Sequence, residues 1–168
     1  MELKRVVVTG LGTINPLGNT VNEYWESLKN GVSGSGPITR FNAEKFKTRF
    51  ACEVKNFDPN KYFDRKEVKK LDRYAQFAMI AADEAVKDAG ITEAPDKERI
   101  GVIWASGIGG METLSEEFKA YFTGDGTPRF GPFFVPKMIS DIAAGMISIK
   151  YGYMGPNFGT VSACASAS

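Results

Sequence analysis

The chain holds 168 residues, 43% of them hydrophobic and 24% charged, enough to bury one sizeable core and too apolar for a disordered or fibrous class. Its 21 Lys and Arg against 20 Asp and Glu leave a net charge of +1, which excludes the broad basic field of a nucleic-acid or anionic-membrane binder, so a charged partner has to be met by a local patch. It contains no histidine, so it cannot by itself build a Ser-His-Asp or Cys-His pair, and its two cysteines, Cys52 and Cys164, fall short of a four-ligand structural zinc site.

The opening residues run straight into a strand pattern with no secretory h-region, and no apolar run approaches the roughly 20 residues that span a bilayer. The expectation is a cytoplasmic protein with reduced thiols and no membrane insertion. Residues 3–9, with Val6-Val7-Val8, read as a buried strand ending in the turn Gly10-Leu11-Gly12. Thr20-Val21-Asn22-Glu23 is a capping-box pattern that starts a helix carrying Tyr24, Trp25 and Leu28, and Asn30-Gly31 stops it. Residues 31–60 read as loops and short strands.

Asp64 is placed to cap one long helix in which Val68, Leu71, Ala75, Met79, Ala82 and Val86 keep a period near 3.6 until Gly90. Residues 99–105 form a second strand candidate, and Ser106-Gly107-Ile108-Gly109-Gly110 turns the chain into a helix over 111–122. A loop comes next, with Phe133-Phe134 in it, then a helix over 137–150 closed by Gly152, and a third strand over 158–162 that leads directly to Cys164. Strands alternating with helices predict an α/β layer structure with parallel pairing.

Several features invite chemistry. Gly10-Leu11-Gly12 resembles the start of a dinucleotide fingerprint, but Asn15 stands where the third glycine belongs and no helix starts there, so a tight turn is the reading. No G-K-[ST] comes after Gly107-Ile108-Gly109-Gly110, which points to close backbone packing rather than a phosphate cradle. Residues 61–73 hold six basic against three acidic side chains; a solvated helix face and a docking site for an acidic partner both fit. Cys164, between a β-rich run and Ala165-Ser166-Ala167-Ser168, fits a strand-to-helix elbow that favours a thiolate, and it equally fits a buried structural cysteine.

Taken together and in order, Arg5-Val6-Val7-Val8-Thr9-Gly10-Leu11-Gly12, Asn15-Pro16-Leu17-Gly18, Ser106-Gly107-Ile108-Gly109-Gly110, Pro132-Phe133-Phe134-Val135-Pro136 and Thr160-Val161-Ser162-Ala163-Cys164-Ala165-Ser166 resemble the β-ketoacyl-acyl-carrier-protein synthases, the condensing enzymes of fatty-acid synthesis. The resemblance implies a thiolase-like layered αβαβα fold, with residues 1–168 as most of its N-terminal half, cut just after the nucleophile. It implies that Cys164 takes the acyl chain, that Ile108 gates the acyl pocket and that Phe133 lines the pocket of a neighbouring subunit in a homodimer. It also implies that Arg65, Lys66, Lys69 and Lys70 dock acyl carrier protein. No cofactor or metal is implied, because the substrates ride on the phosphopantetheine of the carrier protein.

The chain departs from the family in lacking the two histidines that support decarboxylation, so the 168 residues alone are expected to be inactive. A polyketide ketosynthase shares the cysteine motif and is the alternative within the same chemistry. Outside it stand a non-catalytic subunit that shapes chain length, which the presence of Cys164 disfavours, and a plain dimerisation or carrier-binding module.

Overall fold

The computed structural model describes residues 4–167; Leu3, at the head of the first predicted strand, and Ser168, at the end of the cysteine run, lie outside the described residues. The chain divides into two compact units. One comprises the chain up to Asp58 together with Ile80–Ile91, and the other comprises Pro59–Met79 with the chain from Thr92 onward.

In the first unit, helix α1 (Val21–Lys29) starts where expected. The Thr20 hydroxyl oxygen accepts the Glu23 N–H at 3.2 Å. The reciprocal half of the box is shifted by one residue, since the Glu23 carboxylate accepts the N–H of Asn19 at 2.7 Å. Asn30 and the left-handed Gly31 end the helix. Two short strands, β1 (Gly36–Pro37) and β2 (Phe50–Ala51), pair antiparallel, and Glu53 braces the chain beyond β1 by accepting from the hydroxyl and N–H of Thr39.

The predicted strand over 3–9 does not form among the described residues. Val6 is 89% exposed and Val8 79%, and the segment belongs to no ladder. A β-prone run specifies an extended backbone, but a strand exists only where another strand takes up its N–H and C=O groups. The glycine turn after it is tightly held. A Cβ on Gly12 would collide with the carbonyl oxygen of Ala81 and lie 2.6 Å from the Ala85 nitrogen. The Glu84 carboxylate accepts the N–H of Thr13 (3.0 Å) and of Val21 (2.9 Å), and the Asp88 carboxylate that of Leu11 (3.0 Å). The glycines are there for close approach to a helix backbone, in agreement with a tight turn rather than a nucleotide site.

In the second unit, Asp64 caps α2 (Arg65–Lys70) with a complete capping box to Glu67. The long helix predicted from here to Ala89 breaks. Leu71 is extended, and α3 (Arg73–Asp88) begins afresh after Asp72, one of whose carboxylate oxygens accepts the Tyr74 N–H at 3.2 Å. An aspartate inside an apolar periodicity competes with the helix for backbone donors, and here it wins. Strand β3 (Val102–Ala105) pairs in parallel with β4 (Asn157–Thr160), in register from Val102 opposite Asn157 to Ala105 opposite Thr160. The parallel pairing is as predicted; β4 ends two residues short of Ser162 because β3 offers no further partner.

Between the two strands run α4 (Met111–Thr123), α5 (Phe134–Met138) and α6 (Ile142–Tyr151). The helix predicted over 137–150 is thus two helices, separated at the extended residue Ile139, and α5 starts inside the predicted loop. Gly152, at φ 68°, ends α6 in the left-handed conformation expected of it. The core of this unit is built from Phe63, Leu71, Ala75, Ala78, Met79, Val102, Ala143, Ala144, Ile147 and Tyr153. Ala75, Ala78, Ala143 and Ala144 are fully buried in it, and α6 packs on β3 and β4.

Candidate active site

Parallel strands bring their carboxyl ends to one edge, and the residues that leave β3 and β4 there meet. The last ladder bond runs from the Ser106 N–H to the Thr160 carbonyl at 3.2 Å. Beyond it, Val161 and Ser162 lead to Ala163, which sits at φ +52°, a conformation that costs a residue with a Cβ about 1 kcal/mol or more. A short 3₁₀ turn, Ala163–Ala167, comes next. It is closed by the Ala165 N–H to the Ser162 carbonyl (3.1 Å) and by the Ser162 N–H to the Ser166 hydroxyl (2.8 Å). Cys164 stands in this bend, exposed and as a free thiol. In this chain the cysteine is exposed rather than buried, and a 3₁₀ turn stands where the elbow was expected to start a helix.

The second glycine turn lies against that bend. A Cβ on Gly107 would sit 3.2 Å from the Ala163 carbonyl oxygen. Gly109, at φ +90°, and Gly110 press against the backbone of 137–140; the Gly110 N–H donates to the Met138 carbonyl at 2.9 Å, and the Gly109 N–H to the Ser106 hydroxyl at 3.0 Å. Close packing is thus the role of these glycines. Ile108, 70% exposed, rides on the turn at the mouth of a groove of about 440 Å³. Met111 and Leu114 of α4 form one wall of the groove, and Met138, Ile139 and Asp141 the other.

Phe133 does not line this groove. It precedes α5, partly exposed, and the Lys70 ammonium lies 5.7 Å from its ring centre, so one member of the predicted basic patch touches one member of the predicted acyl pocket. Arg65, Lys66, Lys69 and Lys70 are all exposed on α2, with Lys69 and Lys70 in its last turn, where cations favour the helix dipole. Cys52 is exposed just after β2, with no elbow around it.

Three residues near the groove carry weight that the sequence pattern concealed. The Asp72 carboxylate, buried on a residue 5% exposed, accepts from both the N–H (2.8 Å) and the hydroxyl (2.6 Å) of Thr113 in α4. Arg73 pairs with Glu112 at 2.9 Å, and the Tyr74 hydroxyl donates to the Ile139 carbonyl. Unbroken helical periodicity masked all three; a charged Asp-Arg pair within an Ala-rich helix was the available hint.

A family model for the N-terminal domain of β-ketoacyl synthases matches residues 3–168. A 3-oxoacyl-(acyl-carrier-protein) synthase 2 from Synechocystis sp. is 44% identical over 100% of this chain, which spans 40% of that relative. Among solved structures, the ishigamide ketosynthase/chain length factor superposes with a TM-score of 0.81 at 30% identity, covering 92% of this chain and 39% of its own. A type II polyketide acyl-carrier protein in complex with its ketosynthase gives 0.71 at 25% identity, over 90% of this chain and 40% of that one. The thiolase-like fold expected from the sequence is the fold of these ketosynthases, and this chain spans about two-fifths of the proteins it matches. Among the described residues, no helix is long and apolar enough to cross a membrane.

Proposed function

Because the chain belongs to the β-ketoacyl synthase family, contributing that family's N-terminal domain, we propose that it supplies the nucleophile and the acyl groove of a condensing acyltransferase that makes 3-oxoacyl-acyl-carrier-protein in fatty-acid elongation. The observation that carries the reading is the strained bend presenting Cys164 at the carboxyl end of the parallel pair, packed against the turn whose Ile108 opens on an apolar groove. In the loading step the Cys164 Sγ attacks the thioester carbonyl of an acyl carrier protein. A new S–C bond forms, the old one breaks, and the phosphopantetheine thiol leaves with the proton. One thioester replaces another, so the exchange is nearly isoenergetic and the acyl group stays electrophilic.

In the second step, malonyl carrier protein loses CO2, and its carbanion attacks the acyl carbon as the bond to Cys164 breaks, releasing the thiolate and a 3-oxoacyl product two carbons longer. The imidazoles that the family uses for this step have no counterpart among these 168 residues, so their contribution is loading and holding the acyl chain.

The acidic carrier protein docks on Arg65, Lys66, Lys69 and Lys70, a reading supported by their exposure on one short helix and by the carrier complex of the polyketide ketosynthase. Phe133 lines the pocket of the second subunit in a homodimer, and the protein works in the cytoplasm. Identity to the 3-oxoacyl-(acyl-carrier-protein) synthase 2 relative (44%) exceeds that to the polyketide ketosynthase (25%), which supports fatty-acid elongation over the polyketide alternative.

Mass spectrometry of the whole enzyme after incubation with an acyl carrier substrate is expected to find the acyl group on the peptide holding Cys164, with Cys164→Ser abolishing it. An adduct confined to Cys52 overturns the assignment.

A further inference from the structure

Asp72, Arg73 and Tyr74, consecutive at the break between α2 and α3, bond to the elements that form the groove beside Ile108: Asp72 and Arg73 to Thr113 and Glu112 in the first turn of α4, and Tyr74 to the Ile139 carbonyl. Helix α4 begins at Gly110, which has no side chain with which to cap it. The missing acceptor comes from far along the chain: one Asp72 oxygen takes the Thr113 N–H and hydroxyl, while the other takes the Tyr74 N–H at the start of α3. A single buried carboxylate thereby closes the first turns of two helices, where both helix dipoles favour a negative charge. Arg73 adds two bonds to Glu112, at 2.9 and 3.3 Å. Glu112 and Thr113 lie between Met111 and Leu114 in sequence, so the turn being gripped is the one that carries that groove wall.

Tyr74 holds the opposite wall through the Ile139 carbonyl, at the junction of α5 and α6. Burial above all, and then the carboxylates of Asp72 and Asp141, push the Tyr74 phenol well above the ordinary tyrosine range, so it remains a donor at any working pH.

We propose that Asp72-Arg73-Tyr74 is a clamp of positioning residues that fixes the separation of the two groove walls and thereby sets which acyl chain lengths are accepted. The proposal rests on the reading of this groove as the acyl site. It requires no contact between the clamp and the substrate; the clamp acts through Met111, Leu114 and Ile139.

The test uses the whole enzyme with Asp72→Asn, Tyr74→Phe and the double variant, measuring kcat and KM for loading along a straight-chain acyl-carrier series from butyryl to palmitoyl. The expected result is a change of at least ~5-fold in the long-to-short ratio of kcat/KM, carried by KM for the long chains and largest in the double variant, since pocket discrimination of this size needs only about one methylene's worth of fit. An unchanged ratio, or a uniform fall along the series that tracks lost thermal stability, overturns the proposal. Tyr74→Phe removes one hydroxyl at a helix surface and decides the matter alone if Asp72→Asn does not fold. Ile108→Ala is the companion measurement. If it shifts the series while the clamp variants do not, the clamp fails and the groove stands; if it too leaves the series unchanged, the groove is not the acyl site and the proposal falls with that reading.

Discussion

The two glycine-rich turns of this chain come after similar β-prone runs and are built on the same device, yet they end in different places. Gly10 and Gly12 let a backbone come down onto the carbonyls of Ala85 and Ala81, and the turn is then tied by Glu84 and Asp88. Gly109 and Gly110 press onto the backbone of Met138 and Lys137, and the turn is tied by a carbonyl and by Ser106. Only the second leads immediately into a helix and faces a strained cysteine bend, and only there does the intervening residue, Ile108, stand over an apolar groove. Glycines at such sites report proximity of backbones; the chemistry comes from what the neighbouring strand delivers to the same edge.

Substituting the glycines separates the two roles most sharply. Gly109→Ala places a Cβ on a residue at φ +90° and into the Met138 carbonyl, so both conformational strain and overpacking apply, and a loss of about 3 kcal/mol in urea unfolding is expected together with an altered acyl-chain profile. Gly12→Ala meets overpacking alone, with an expected loss of about 2 kcal/mol and an unaltered profile among the enzyme molecules that remain folded. A shifted profile in Gly12→Ala breaks the distinction between the turns.

A smaller effect tests whether the basic helix serves the second turn's chemistry. Lys69→Glu with Lys70→Glu is expected to weaken carrier-protein binding by about tenfold and flatten its salt dependence, because exposed rim charges act on association and are screened. Surface plasmon resonance at low and high salt measures this, and an equal loss with a carrier-free thioester points to a folding defect instead.

The smallest expected effect lies outside both turns. Hydrogen bonds from Thr39 lower the Glu53 carboxyl below the ordinary glutamate value. The stability this contributes is present above the ordinary value and disappears as pH falls through the lowered one. Thr39→Val is expected to move the Glu53 titration upward, as read by NMR, while leaving the glycine turns and the acyl profile as they are.

How far the sequence could be read divides along a physical line. Caps were legible because they are local: Thr20, Asp64 and Gly152 each act within one helical turn of their own position, and each does what its residue type predicts. The cysteine motif and the Ile108 turn were legible through family resemblance, and the structure sets them side by side. What periodicity could not reveal were contacts made across long separations. Asp72 looked like one polar residue on a continuous helix, because its partner Thr113 is 41 residues away. Val6-Val7-Val8 and Val102-Ile103-Trp104 are equally β-prone, but among the described residues only the second has a strand beside it, and no local signal says which run finds one. The split at Ile139 was hidden for the same reason, since its carbonyl is bound by Tyr74, 65 residues earlier.

The parallel pairing of β3 with β4 has a consequence for the order of events in folding. All of residues 106–156 must be gathered in before Val102 can lie opposite Asn157, and closing so long a loop costs entropy that no nearby contact repays. Until that register is made, the peptide around Ala163 has no reason to adopt its left-handed bend. The bend that carries Cys164 is therefore expected to form late, after α4 and α6.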